Sequence, residues 1–181
     1  GAKALGIETV LVATGDFVAF KDRGITTDVR DTDVYGLVRL AREAGLQTGV
    51  VFDTHPENNG LARAVDHLRR KVDAGALFAV TQPVYDEPGA DEIAEAIRSI
   101  DIPVIMGILP LRTPRHAEFL HTKVAGITVP DLLRQRMHRA ADPVAEGAAN
   151  AREMVDTART RFAGACIMPP FDHYEVMLDI L

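Results

Sequence analysis

Cysteine and tryptophan are almost absent from this sequence: its 181 residues hold one cysteine, Cys166, and no tryptophan. A single cysteine excludes a disulfide within the chain and disfavours a structural zinc site. Its neighbours Ala165, Ile167 and Met168 are apolar, so we expect Cys166 to be a thiol in the core of the fold. The alternative is a reactive nucleophile, but nothing nearby in the sequence would activate it.

Long hydrophobic runs and clustered positive charge are also missing. No apolar run could span a bilayer and the N-terminus lacks a signal-peptide pattern, so we expect no membrane partner and a reducing, cytoplasmic location. The net charge is −6, with lysines and arginines scattered among acidic residues, which argues against nucleic acid as a partner. A small anionic ligand remains compatible with this charge, because it needs only one or two well-placed cations.

Several catalytic signatures are absent as well. The sequence has no GxGxxG turn, no Walker lysine loop, no HExxH and no GxSxG. These absences disfavour a Rossmann dinucleotide site, a P-loop enzyme, a zinc peptidase and an α/β-hydrolase.

What the sequence does contain is a series of five apolar runs of strand length. None of them alternates polar with apolar residues, and continuous apolar runs are typical of parallel strands covered on both faces. The predicted strands are Thr9–Gly15, Thr48–Asp53, Leu77–Gln82, Pro103–Leu109 and Ala165–Pro170.

Helical patterns separate these runs. Residues 33–45 and 60–75 each carry one apolar stripe and end at a glycine, residues 90–100 and 143–164 follow the same pattern, and 130–140 adds a helix before the fifth strand. The polar segment 20–33 has no periodicity and is expected to be a functional or flexible βα loop. Alternating strands and helices predict an α/β fold of parallel βα units with right-handed crossovers.

The two ends of the chain suggest part of a barrel. Residues 1–10 resemble the end of a helix that leads into a strand, and residues 174–181 an apolar helix without a cap. We therefore expect the C-terminal five-eighths of a (β/α)8 TIM barrel, with residues 1–181 as a single partial domain that lacks the N-terminal strands. A complete open sheet of five strands is the alternative. An exposed sheet edge would need pairing, with the missing half or with another copy of the chain.

Polar side chains follow every predicted strand, where ligands bind in both architectures. Each has an ordinary structural explanation: Asp16 could cap a turn, His55 could begin a helix, and Lys71 and His116 could face solvent. Gln82 is harder to explain in this way, because an amide at the end of a buried strand needs partners for its NH₂ and its C=O. A flat heterocycle with its own donors and acceptors would supply them.

The ordered segments LVATGD, HPEN, RRKVDAGALFAVTQ, YD, MGILPL and MPPFDHYE resemble the 5,10-methylenetetrahydrofolate reductase family from Val10 to Leu181. The MGILPL and MPPFDHYE regions are most similar to the bifunctional branch, in which a homocysteine S-methyltransferase domain precedes the reductase. The resemblance implies a flavoprotein with a TIM barrel that acts in one-carbon metabolism and methionine biosynthesis. It implies that FAD takes hydride from NADH or NADPH and reduces 5,10-methylenetetrahydrofolate to 5-methyltetrahydrofolate.

The resemblance also implies roles for individual residues. Asp16 matches the catalytic aspartate beside the flavin and the folate, with Thr14 and Gly15 next to it in the cofactor site. His55 and Lys71 match positions that contact the ribose and pyrophosphate of FAD, and Gln82 matches the amide that binds the pterin-like ring. His116 and His173 fall where the family has a glutamine and an arginine that contact the folate.

The sequence departs from the family pattern in three places. Thr14 replaces the arginine of an RGD motif, the segment around His55 is shortened, and no counterpart of the proton-donating glutamate of the first barrel strand is present. A non-catalytic folate- or flavin-binding or assembly module, inactive as an isolated fragment, is therefore a second hypothesis. An unrelated phosphate-binding barrel enzyme is a third, disfavoured because no Gly-rich turn follows the fourth or fifth strand.

Overall fold

The structure, a computed structural model, describes residues 1–14, 24–27, 29, 31–54, 60–124, 126–171 and 173–181. Within these residues five parallel strands form one sheet in the order β1-β2-β3-β4-β5. The strands are β1 (Thr9–Val12), β2 (Gln47–Phe52), β3 (Phe78–Pro83), β4 (Val104–Ile108) and β5 (Gly164–Ile167). Every predicted strand is confirmed. Four of the strands stop one to three residues before the ends expected from the apolar runs, whereas β3 runs one residue beyond its expected end.

Helices connect successive strands. They are α1 (Val34–Glu43), α2 (Gly60–Asp73), α3 (Glu87–Ala96), α4 (Pro114–Lys123), α5 (Asp131–Arg139) and α6 (Pro143–Arg161). The N-caps of four helices accept hydrogen bonds from the first turn, which satisfies backbone N–H groups that have no partner within the helix. These caps are Asp33, Asp86, Thr113 and Asp142.

The sequential strand order distinguishes between the two predicted architectures. A doubly wound open sheet reverses its strand order at a switch point, whereas each strand of a (β/α)8 barrel lies beside the next strand in the chain. Crossovers of the usual right hand between sequential neighbours place the connecting helices on one face of the sheet, and α1, α2 and α6 contact the strands. The prediction of consecutive parallel βα units of a barrel is therefore confirmed.

The main core lies between this helical layer and the sheet. The side chains of Val50, Phe52 and Met106 are at most 1% exposed and pack with those of Val38 and Leu68 from the helices. A second apolar cluster lies beneath α4 and α5 and includes Tyr85, Leu111, Ala117, Leu120, Ile127, Val129, Leu133 and Met137. This second cluster anchors the segment that follows β4.

The other face of the sheet differs from expectation. The apolar runs predict strands covered on both faces, and in the described residues the second face is only partly covered. Leu11 is 49% exposed, whereas Val12, its neighbour on the helical face, is 6% exposed. Cys166 is half-buried rather than in the core, because β5 is an edge strand of the described sheet.

The two ends form tighter helices than predicted. Residues Tyr174–Asp179, expected to be an apolar helix, form a 3₁₀ helix, and a short 3₁₀ helix, Lys3–Leu5, precedes β1. Part of the predicted polar loop 20–33, namely residues 20–23, 28 and 30, lies outside the described residues. Among the helices that the structure describes, none is both long enough and apolar enough to cross a membrane.

Candidate functional site

Three of the predicted site residues, Gly15, Asp16 and His55, lie outside the described residues. The expected proximity of Asp16 to Gln82 therefore stays a prediction. Thr14 is described and lies exposed just after β1, at the carboxyl end of the sheet.

A β-bulge in β3 places Gln82. Val80 pairs with Ile105 of β4, but the next pair is Pro83 with Gly107, so β3 advances three residues while β4 advances two. The Thr81 hydroxyl donates a hydrogen bond to the carbonyl oxygen of Gln82 (2.7 Å) and accepts one from the backbone N–H of Gly107 (2.9 Å). Thr81 thus satisfies backbone groups that the extra residue displaces from the ladder.

The Gln82 side chain is left available by this arrangement. It is half-buried, and it has no hydrogen-bond partner among the described residues. Thr81 and Gln82 therefore have different functions at the end of the same strand: the hydroxyl holds the bulge together, and the amide is free to meet a ligand. Sequence reasoning treated the two residues as one polar strand end and missed the structural role of Thr81.

Lys71 extends from the last turn of α2 to the end of β2. Its ammonium group donates a hydrogen bond to the carbonyl oxygen of Val51 (2.6 Å). Burial lowers the pKa of Lys71 from its ordinary value of 10.5, and the nearby Asp53 carboxylate opposes this shift. Lys71 is thus a partly desolvated cation next to a carboxylate, not the solvent-facing residue that a charge run usually indicates.

The carboxyl end of β2 carries two further polar groups. Thr54 is 3% exposed, and its hydroxyl has no hydrogen-bond partner among the described residues. Asp53 is exposed and lies against Gly126 of the α4–α5 connection, where a Cβ would come within 2.8 Å of its carboxylate oxygen. Gly126 has φ = +81°, a conformation that favours glycine. The α4–α5 connection therefore approaches the β2 end closely.

His116 lies in the first turn of α4 and contacts the segment after β5. Its ring centroid is 5.7 Å from that of Phe171, with the planes tilted by 46°. Its Nδ1 atom is buried without a partner in the described part of the chain. Burial lowers the pKa of His116 below its ordinary value of 6.5, and the charge of Arg112 lowers it further.

Phe171 was not predicted to be part of the site. It is 76% exposed and has φ = +55°, the left-handed region that a bulky residue rarely adopts. Backbone strain of this kind, about 1–3 kcal/mol, tends to occur at functional sites. The only signal in the sequence is an aromatic residue directly after the fifth strand and its two prolines.

His173 belongs to the same region. Its Nδ1 lies 2.8 Å from Oε1 of Glu175. The pKa of Glu175 is lowered by a hydrogen bond from the backbone N–H of Glu175 itself and by the hydrogen bond from His173. The charge of Arg112 lowers it further. Arg112, His116, Phe171, His173 and Glu175 form what we call the β4–β5 cluster. The structure therefore brings two predicted residues, His116 and His173, into one cluster, whereas Lys71 lies separately at the end of β2.

The lowered pKa of His116 predicts a pH-dependent stability. Between the folded-state pKa and 6.5, the unfolded chain binds more protons at this residue than the folded chain does, so acidification through this window destabilises the fold. We expect the His116→Gln variant to lose less unfolding free energy than the natural protein between about pH 7.5 and about pH 5.5, measured by urea denaturation. His138→Gln, at a side chain that is 60% exposed, controls for the loss of a surface histidine. An equal loss in the natural protein and His116→Gln would contradict the prediction.

A cavity of about 620 Å³ lies away from the β4–β5 cluster, between α3, α5 and α6. None of the predicted site residues that the structure describes lines it. Its two arginines are already engaged, Arg136 with Glu146 at 2.6 Å and Arg161 with Asp91. This cavity therefore has little in common with the chemistry of the strand ends.

Comparisons with known proteins agree on one family. The family model described as methylenetetrahydrofolate reductase matches residues 1–163. Methylenetetrahydrofolate reductase 2 of Saccharomyces cerevisiae is 32% identical over 97 residues, 51% of this chain and 15% of that protein. The 5,10-methylenetetrahydrofolate reductase of Salmonella typhimurium is 27% identical over 115 residues, 62% of this chain and 38% of that protein.

The match therefore spans well under half the length of these curated relatives. A solved structure of an uncharacterized Clostridium thermocellum protein, which binds two copies of 5-methyl-5,6,7,8-tetrahydrofolic acid, has a TM-score of 0.58 with this chain. The superposition covers 96% of this chain and 71% of that one at 16% identity, so it shows a shared fold. With its family model matching residues 1–163 and its strands in barrel order, the chain belongs to the methylenetetrahydrofolate reductase family.

Proposed function

We propose that this chain contributes the folate-binding side of an enzyme that uses FAD and NADH or NADPH to reduce 5,10-methylenetetrahydrofolate to 5-methyltetrahydrofolate. The observation that carries the proposal is the position of Gln82 at the carboxyl end of β3, and of His116 and His173 after the neighbouring strands β4 and β5, in a chain of this family. The Clostridium thermocellum protein of the same fold, which binds a methylated folate, supports this choice of ligand.

The described residues at the carboxyl ends of β1 and β2 fit a flavin dinucleotide. Lys71 offers a cation to the pyrophosphate, and the unpartnered, buried Thr54 hydroxyl lies at the end of the same strand, β2. Thr14 lies after the neighbouring strand, β1. FAD, when bound, supplies the hydride-transfer chemistry. Gly15, Asp16 and His55 complete the proposed cofactor site on the family resemblance alone, with Asp16 as the catalytic carboxylate that disfavours additional negative charge nearby.

The residues of the chain would bind and orient the folate. Gln82 can donate two hydrogen bonds and accept others, which suits the polar edge of the pterin ring. Phe171 and His116 offer ring faces and edges to the remainder of the ligand. His116 and His173 add donors at the ends of β4 and β5. This arrangement orients a flat, polar molecule across the carboxyl ends of three strands.

The wider setting is part of the same proposal. We propose that residues 1–181 are the C-terminal portion of a reductase barrel, in a larger reductase or in a bifunctional homocysteine S-methyltransferase/reductase that acts in methionine biosynthesis in the cytoplasm. The half-exposed apolar face that carries Leu11 favours pairing with the rest of a barrel or with another copy of the chain.

The test uses the full-length protein purified with FAD. We expect flavin absorbance that is bleached anaerobically by NADH or NADPH and restored by 5,10-methylenetetrahydrofolate. A protein that retains no flavin, or whose reduced flavin is not reoxidised by 5,10-methylenetetrahydrofolate, would contradict the proposed function.

Removal of the Gln82 amide should affect folate more than flavin. Loss of about two hydrogen bonds to the pterin predicts a roughly tenfold higher Kd for 5-methyltetrahydrofolate in Gln82→Ala, measured by calorimetry, with unchanged flavin content. Gln135→Ala, an identical change at an exposed position of α5, is the matched control. Equal folate affinity in the two variants would show that Gln82 does not bind the folate.

A folate-binding or assembly module without catalysis is the second candidate function. The observation that favours it is the partly exposed apolar face of the sheet, which suits an interaction surface as well as a barrel interior. Tight folate binding by a full-length protein that retains no flavin would support this candidate over the enzyme.

A further inference from the structure

The backbone of Arg112 is fixed by its two neighbours in the chain, whereas its side chain has no hydrogen-bond or ion-pair partner among the described residues. Leu111 before it is 1% exposed and packs against Gly147 of α6, and the Thr113 hydroxyl after it accepts a hydrogen bond from the N–H of His116 (3.0 Å). Both neighbours of Arg112 are thus anchored. The guanidinium itself forms no hydrogen bond or ion pair with the described residues.

The charge of Arg112 acts on the β4–β5 cluster. It contributes to lowering the pKa of His116, which follows β4, and that of Glu175, which follows β5. The Glu175 carboxylate is already hydrogen-bonded to His173 at 2.8 Å. The five N–H donors of the guanidinium are therefore unused by the described residues, within electrostatic reach of His116, whose ring contacts the exposed Phe171.

The donors of a guanidinium match a carboxylate better than a neutral acceptor, because two parallel N–H···O bonds can form at once. We infer that Arg112 is a specificity-determining residue that binds a carboxylate of the substrate next to His116 and Phe171. The inference rests on the proposed folate substrate, since a folate carries carboxylates on its glutamyl group and a flat ring system at its other end. Arg112 would then recognise the glutamyl end, and Gln82 the pterin end.

The test compares two probes in the full-length protein. One is 5-methyltetrahydrofolate, and the other is 6-methyltetrahydropterin, which has the ring but no carboxylate. We expect Arg112→Gln to raise the Kd for the folate about tenfold or more and to leave the Kd for the pterin unchanged. Arg115→Gln removes the same charge from an exposed position one turn away and should change neither value.

Each other outcome overturns the inference in a recognisable way. If the natural protein binds no folate, the proposed function fails and the role of Arg112 fails with it. If the natural protein binds folate and Arg112→Gln binds it equally well, or loses both probes equally, the role of Arg112 alone fails. Thermal unfolding of both arginine variants verifies that a loss of affinity is not a loss of folding.

Discussion

Replacing Gly147 with alanine is expected to lower the free energy of unfolding by about 3 kcal/mol, near the upper end for overpacked cores. Gly147 is buried in α6, and a Cβ built there would overlap the carbonyl oxygen of Leu111 and lie 3.2 Å from its Cα. The obstacle is backbone, so no rotamer change can relieve it. Alanine is the better helix former by about 0.5–1 kcal/mol, and this gain is too small to offset the clash.

Urea denaturation with a matched helical glycine separates the two contributions. Gly36 of α1 is helical, and its nearest obstacle is the exposed Thr32 side chain, which can move aside. We expect Gly36→Ala to stay within about 1 kcal/mol of the natural protein. Gly147→Ala should also weaken folate binding, because displaced backbone at Leu111 would move Arg112. Native stability in Gly147→Ala would show that α6 can withdraw from the strand end without cost.

The fold was readable from the sequence because its signals are repetitive. The βα alternation is indicated several times, by the apolar runs, by the amphipathic stripes and by Gly45 and Gly75 at helix ends. An error in one element therefore does not change the predicted fold class. How far the second face of the sheet is covered could not be predicted from the sequence. A strand such as "LFAV" has the same composition whether its second face meets a closed barrel or lies partly open, as in the described part of this chain.

The site was readable only in part. The carboxyl-end rule predicted Gln82, His116 and His173 near the ends of their strands, where the structure has them, and their roles are implied by the family resemblance alone. The bulge at Thr81 depends on the pairing of β3 with β4, which no local pattern encodes. The contact of His116 with Phe171 joins residues 55 positions apart, and the influence of Arg112 on Glu175 likewise crosses from β4 to β5. Contacts between segments that are distant in the chain depend on the geometry of the barrel, so they could not be predicted from the sequence.

The bulge leads to the second large expected effect, at Gly107. A Cβ built on Gly107 would overlap the carbonyl oxygen of Thr81 and lie 3.3 Å from the carbonyl carbon and oxygen of Gln82. The backbone of Gly107 also bonds on both sides of the bulge, since its N–H donates to the Thr81 hydroxyl and its carbonyl accepts from the N–H of Val84 (3.1 Å). Alanine at this position must push β3 away from β4 at the point where Gln82 is presented.

We expect Gly107→Ala to lose about 2–3 kcal/mol of unfolding free energy from overpacking and weakened bulge hydrogen bonds. Folate affinity should fall by at least about tenfold, because a shift of roughly 1 Å in a positioning group can have effects of this size or larger. Urea denaturation and calorimetry with 5-methyltetrahydrofolate measure the two quantities. Gly164→Ala, on the neighbouring strand β5, meets no atom within 4 Å and is the control.

Thr81→Val isolates the hydrogen bonds from the steric effect. Valine keeps the shape of threonine but leaves the buried N–H of Gly107 without its acceptor, which predicts a loss of about 1–3 kcal/mol. If the bulge positions Gln82, Thr81→Val and Gly107→Ala should both weaken folate binding, and neither should worsen it further when Gln82 is already alanine. Additive losses of affinity in those double variants would mean that the bulge supports the sheet but does not position the amide.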